Sequence, residues 1–215
     1  MKTIAFLGDS ITVGYTLEDQ TLRYSTLVSK RLGAKEENYG ISGTLIAKSG
    51  RNKDDGQDFI SRKHLIDSAD IAIIFGGTND YFWSDTHIKG EKNDSYFEHA
   101  VQSLCEHVRT ARAGKITLFI TPYPHHGEGN FLGGKAWNEY DYHDTTEKNF
   151  NGHILIEYAS TIEEVCKKYE IPCLNLFKDF PFDWRKHTTD GCHPNPEGHE
   201  ILASVVERKL LELIK

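Results

Sequence analysis

Ser10 lies in the stretch "AFLGDSITVG" (5–14), directly after an apolar run that ends at Gly8. Gly, Asp and Ser are ordinary turn residues, so a turn accounts for "GDS" when it is read alone. A serine exposed at the end of a strand can also be a nucleophile, and it then needs a base and a group that orients the base. Near the other end of the chain, "TTDGCHPNPEGHE" (188–200) carries Asp190 three positions before His193. On a tight loop that spacing lets the carboxylate hold the imidazole Nδ1–H while Nε2 faces outward. In isolation the same residues read equally as a loop aspartate and a histidine near a helix cap.

Two further stretches could supply donors to a developing oxyanion. In "FGGTND" (75–80), Asn79 follows the most apolar run of the chain, although a glycine turn ending in an Asn-Asp cap fits as well. In "YGISGT" (39–44), Gly43 is an ordinary turn glycine whose backbone N–H could point to the same edge as Ser10.

These residues need a frame that brings their loops together. Strand candidates lie at 2–8, 36–42, 71–77, 116–122 and 171–177, read as continuous or near-continuous apolar runs of the kind covered on both faces. Helix candidates lie between them, near 21–32, 56–68, 94–113 and 147–170; the first stops at Gly33, a good C′ residue. The last helix is the clearest. Asn195 can cap it, Pro196 suits its first turn, and Ile201, Leu202, Val205, Val206, Leu210 and Leu211 form an apolar stripe. Alternating strands and helices predict an α/β domain with a mostly parallel sheet, and residues 1–215 read as a single domain. Ligands of such sheets bind beyond the carboxyl ends of the strands, which is where Ser10, Gly43 and Asn79 fall. The polar, Gly-rich and aromatic segment 123–146 follows one such strand and reads as a binding loop.

Composition narrows the classes. The 215 residues are 38% hydrophobic and 27% charged, with a net charge of -7 and no massed Lys or Arg, so nucleic acid is a poor partner. The four cysteines, Cys105, Cys166, Cys173 and Cys192, form no C-x-x-C pair and read as free thiols. No apolar run is long enough to span a bilayer, and the short run after Lys2 is no signal peptide, so a cytoplasmic location is the expectation. Oligomeric state is left open.

Together "GDSI", the glycine of "GISGT", "GTND" and "DGCH" match, in order, four signature blocks of one family. The chain resembles the SGNH hydrolases, also called GDSL-type esterases and lipases, with Ile11 in place of the usual leucine. The resemblance implies a three-layer α/β/α sandwich, flavodoxin-like, with a five-stranded parallel sheet. It also implies roles: Ser10 as nucleophile, His193 as general base and acid, Asp190 as its orienting carboxylate, and Ser10, Gly43 and Asn79 as the oxyanion hole. The G-x-S-x-G elbow of the α/β-hydrolases is absent from the sequence.

The expected activity is cleavage of carboxylic esters through an acyl-serine, with a small-molecule substrate, no cofactor and no metal. Short acyl groups are expected, in particular O-acetyl groups on a carbohydrate. A lipase, lysophospholipase or thioesterase of the same family, an acyltransferase, and a non-catalytic binding module are the alternatives. Tyr81, Trp83, Tyr123, His125, Trp137 and Tyr140 are the expected pocket residues. His125 and His126, with His143 and Asp144 nearby, lack the spacing of a metal site. Asp9 and Asp80 read as structural hydrogen-bonders, Cys192 as packing, and His199 as a non-catalytic residue of the last helix.

Overall fold

The apolar runs near 2–8, 71–77 and 116–122 become strands because each is buried on both faces. In a computed structural model of the protein, which describes residues 1–50, 54–83, 86–125, 148–178 and 181–214, they are joined by two edge strands. The strands are β1 (Thr3–Gly8), β2 (Lys35–Gly40), β3 (Ile71–Phe75), β4 (Ile116–Ile120) and β5 (Cys173–Leu174). All pair in parallel, in the order β2-β1-β3-β4-β5, with Ile4 opposite both Glu36 and Ile71, and Ile71 opposite Ile116. This is the flavodoxin-like order, in which the connections leave β1 and β3 in opposite directions and open a crevice between their carboxyl ends.

Although the central strands are apolar throughout, strand periodicity divides them into two cores. Ala5, Leu7, Ala72, Ile74 and Phe119 face a cluster that also holds Phe59 of α3 (Phe59–Arg62), Leu104 of α5 (Phe97–Ala111) and Ile162 of α6 (Leu155–Lys168). Ile4, Phe6, Ile73, Phe75, Leu118 and Ile120 face the other way, toward Val28 of α2 (Tyr24–Arg31) and Leu202 and Val206 of α8 (Pro196–Leu213). The layers are therefore helix, sheet, helix. Short helices α1 (Ser10–Val13), α4 (Thr78–Phe82) and α7 (Trp184–His187) sit around the strand ends.

Several boundaries differ from the sequence expectation. β2 reads "KEENYG" and is half-exposed rather than apolar, because an edge strand needs cover on fewer sides. β5 is two residues long instead of the run 171–177. The helix expected at 56–68 divides into α3 and a 3-10 turn, Lys63–Ile66, and the one at 21–32 begins as a 3-10 turn, Gln20–Leu22. The longer helices start later than the pattern suggests, at Phe97 and Leu155. On α8 the Asn195 cap is present, with its side chain accepting from the Gly198 N–H at 2.9 Å. Its stripe is narrower than expected, since Leu211 is exposed. Among the described residues no helix is long and apolar enough to cross a membrane.

One buried cation ties this frame together. Arg112, at the end of α5, is 1% exposed. Its guanidinium donates to the carbonyls of Ile66, Ala69 (3.0 Å) and Ile116 (2.9 Å), and to Thr117 Oγ1 at 2.9 Å. Arg112→Met keeps much of the volume but leaves these acceptors unpaired in the interior. The expected cost is about 2–4 kcal/mol, read as a lower urea midpoint at unchanged slope. A midpoint equal to wild type would show that the carbonyls find other donors.

Candidate active site

The turn after β1 works because residue 8 is glycine. A Cβ there would lie 2.0 Å from Thr12 Oγ1, so any side chain would push α1 off the strand end. Asp9 caps that helix, its Oδ1 accepting from the Ile11 N–H at 3.0 Å. Ser10 is then the first helical residue, 7% exposed, at the crevice end of the sheet. Its N–H belongs to the orphan donors of a helix start.

The 188–194 loop is closed by an antiparallel bridge between Thr188 and Pro194. Gly191 makes the turn at φ 89°, and its N–H donates to Thr188 Oγ1 at 2.9 Å. Asp190 thereby collects three donors: Oδ1 accepts the N–H groups of Cys192 (3.0 Å) and His193 (2.7 Å), and Oδ2 lies 2.6 Å from His193 Nδ1. Burial pushes the Asp190 carboxyl up, but the hydrogen bond and charge of His193 and the two backbone N–H groups outweigh it and hold it below the usual range. With Nδ1 so engaged, His193 turns Nε2 to within 2.9 Å of Ser10 Oγ. Serine, imidazole and carboxylate stand in one hydrogen-bonded line, drawn from opposite ends of the chain.

Gly77, at φ 105°, starts α4 and brings Asn79 to the same crevice. The Asn79 amide is held on three sides. Nδ2 donates to Thr44 O at 3.1 Å and to Asp9 Oδ2 at 3.3 Å, while Oδ1 accepts from Trp83 Nε1 at 3.2 Å. Gly43 sits in the neighbouring loop at φ 74°, just before Thr44.

Asp80 and Arg62 hold this loop. Asp80 accepts from the N–H groups of Ile46 (2.9 Å) and Ala47 (3.0 Å), and burial pushes its carboxyl up to about 7. Burial likewise pushes Asp9 up to about 6, against the opposing effects of the Ile11 N–H, His193 and Arg62. Arg62 donates to Tyr39 O, to Gly8 O at 3.3 Å and to Thr44 Oγ1 at 3.0 Å, clamping the ends of β1 and β2 to the Gly43 loop. No local motif marks Arg62, because its partners come from three separate segments.

The expected pocket residues divide. Trp83 is half-buried and supports Asn79. Tyr81 and Tyr123 are core residues beneath the site rather than walls of it, at 4% and 0% exposure. Tyr81 packs on Tyr158, and the Tyr123 hydroxyl donates to the Cys192 carbonyl in the 188–194 loop. Their positions after strand ends suggested a rim, but the α6 layer and the 188–194 loop cover them. His125 is buried too, its ring against those of Phe82 and Tyr123. Trp137 and Tyr140, with His126, His143 and Asp144, lie outside the described residues. Among the described residues no group of three or more His, Cys, Asp or Glu side chains could hold a metal ion. Tyr15, which no local motif marks, lies edge-on against His193 with ring centres 4.8 Å apart.

A serine, a histidine and an aspartate stand in line at the carboxyl edge of this flavodoxin-like parallel sheet, an arrangement suited to ester hydrolysis. The chain belongs to the GDSL-like lipase/acylhydrolase family, whose model matches residues 6–201. No curated protein matches the sequence. Among solved structures it is similar to a protein from Lactobacillus plantarum, 25% identical with a TM-score of 0.77, over 99% of this chain and 96% of that one. A possible lipase from Chitinophaga pinensis is 18% identical with a TM-score of 0.70, over 99% of each chain. A carbohydrate acetylesterase family member from Sinorhizobium meliloti is 17% identical with a TM-score of 0.64, over 98% of this chain and 97% of that one. At these identities the last two share the fold.

Proposed function

We propose that this protein is a single-domain serine esterase that hydrolyses carboxylic esters through an acyl-serine intermediate. The observation that carries the reading is the 2.9 Å approach of His193 Nε2 to Ser10 Oγ, with Asp190 holding Nδ1 at 2.6 Å. Ser10 Oγ attacks the ester carbonyl as His193 takes its proton, and the carbonyl oxygen becomes an oxyanion. The N–H groups of Ser10 and Gly43 and the Asn79 amide receive that charge. Collapse expels the alcohol, which leaves with the proton from His193. Water then repeats the sequence on the acyl-serine, releasing the acid and restoring Ser10. No step passes through a cofactor. Asp190 stays ionised and stabilises the imidazolium.

Short acyl groups, O-acetyl among them, are the proposed substrates. The support is the polar, Gly-rich and aromatic sequence of the segment 123–146 and the fold shared with the named acetylesterase family member. Hydrolysis of p-nitrophenyl esters from acetate to palmitate, by wild type and Ser10→Ala, tests this directly. Activity peaking at acetate or butyrate and lost in Ser10→Ala is expected; a peak at palmitate would turn the substrate assignment to lipids. Failure of a reactive phosphonate to label Ser10 would sink the nucleophile assignment. Asn79→Ala is expected to lower kcat by about 10²–10³-fold with little change in KM, as for other single oxyanion donors. An unchanged kcat would leave the oxyanion to the backbone donors.

A further inference from the structure

We infer that Tyr15 forms the wall of the site on the leaving-alcohol side and selects esters of ring-shaped, hydroxyl-bearing alcohols, an inference that rests on the esterase reading above. The proton that His193 takes from Ser10 must be delivered to the leaving oxygen, so that oxygen comes within hydrogen-bond reach of Nε2. Whatever is bonded to it lies along the open flank of the imidazole. Tyr15 occupies that flank, its ring plane at 63° to that of His193, with 52% of the residue in solvent.

An exposed tyrosine by itself needs no explanation, but the mounting of this one does. Its N–H donates to the Ser10 carbonyl at 2.9 Å, so ring and nucleophile share one rigid turn. The next residue, Thr16, holds φ at 75°, a conformation that β-branched residues rarely adopt. Thr16 Oγ1 bonds to Thr189 Oγ1 at 3.3 Å, tying the Tyr15 turn to the loop of Asp190 and His193. Backbone strain of this kind persists only where the surroundings impose it, and it gathers at ligand-contacting sites. Beside the acid–base group the protein thus presents a fixed aromatic ring next to two exposed hydroxyls. A saturated ring lays a flat C–H face on the aromatic and reaches the threonines with its hydroxyl rim. A linear alkyl alcohol can use neither as well.

The test holds the acyl group at acetate and varies the alcohol: an acetylated methyl pyranoside, cyclohexyl acetate and n-hexyl acetate. Tyr15→Ala is expected to lose about five- to tenfold in kcat/KM on the two ring esters, the size of an aromatic stacking contact, and to keep its rate on n-hexyl acetate. Tyr15→Phe should retain the preference for cyclohexyl over hexyl acetate, and the pH profile of Tyr15→Ala should match wild type. Equal losses on all three esters, or a displaced pH profile, would mean that Tyr15 acts by holding His193, and would overturn the inference. Loss of the ring preference in Tyr15→Phe would overturn the stacking role as well. The esterase reading fails separately, and this inference with it, if wild type cleaves none of the three or if Ser10→Ala cleaves them equally well.

Discussion

Ser10→Ala and His193→Ala are each expected to lower kcat for ester hydrolysis by about 10⁶-fold, with the double variant no worse than either single one. The reason is the geometry of one proton path. Ser10 Oγ becomes a useful nucleophile only as His193 Nε2, 2.9 Å away, removes its proton. An imidazole without Oγ has nothing to deprotonate, and Oγ without the imidazole stays a neutral alcohol. On the proposed mechanism the two residues act as one catalytic unit, and their losses are not expected to add. Asp190 contributes by fixing the tautomer, so Asp190→Asn should cost less than removing either partner. Single-turnover rates on a p-nitrophenyl ester measure all of this. Losses that multiply in the double variant would show that serine and histidine act in separate steps.

Stability should carry a second large signature, from His199. This residue of α8 is 0% exposed; its Nδ1 accepts the Tyr24 N–H at 3.2 Å and its ring stacks on that of Tyr24. Burial pushes its pKa down to about 3 from 6.5, with the charges of His193 and Arg23 adding to the shift. The unfolded chain takes up a proton below pH 6.5, whereas the folded one does not until about pH 3. Stability present above pH 6.5 is accordingly lost as the pH falls, at about 1.4 kcal/mol per unit. Asp9 and Asp80 act in the opposite sense, because their folded values of about 6 and about 7 lie above 3.8, so the fold binds those protons first. The difference between wild type and His199→Gln isolates the histidine. That gap is expected to be flat above pH 7 and to narrow by about 3 kcal/mol between pH 6.5 and 4. Urea titrations across this range measure it, and a gap independent of pH would mean that His199 charges within the folded protein.

The residues of the proposed catalytic line were readable before any fold was known because their chemistry is local. Asp190 and His193 need one short loop to meet, and Ser10 needs a glycine before it and a strand end to stand on. The central strands were readable for a related reason: a strand covered on both faces must be apolar along its whole length, as "IAIIF" is. The edge strand β2 lies within a residue or two of the expected 36–42, but the apolar run expected there is not what "KEENYG" is. β5 and the 56–68 helix were overextended, since single-chain periodicity does not register where neighbouring layers stop supporting an element.

What a linear chain leaves open is any relation whose partners are far apart in it. Arg62 clamps Gly8, Tyr39 and Thr44 from one buried position, and none of these spacings resembles a motif. Tyr81 and Tyr123 looked like rim residues because they follow strand ends; the layers packed over them made them core. Tyr15 gained its place beside His193 from contact across 178 positions of sequence, through a ring pair that spacing does not encode. Residue types and short-range spacing therefore carried the family, the main elements of the sheet and the residues proposed to react. The supports of the Gly43 loop and the place of Tyr15 beside His193 came from packing, because a contact between distant segments exists only once the sheet has brought their loops to one edge.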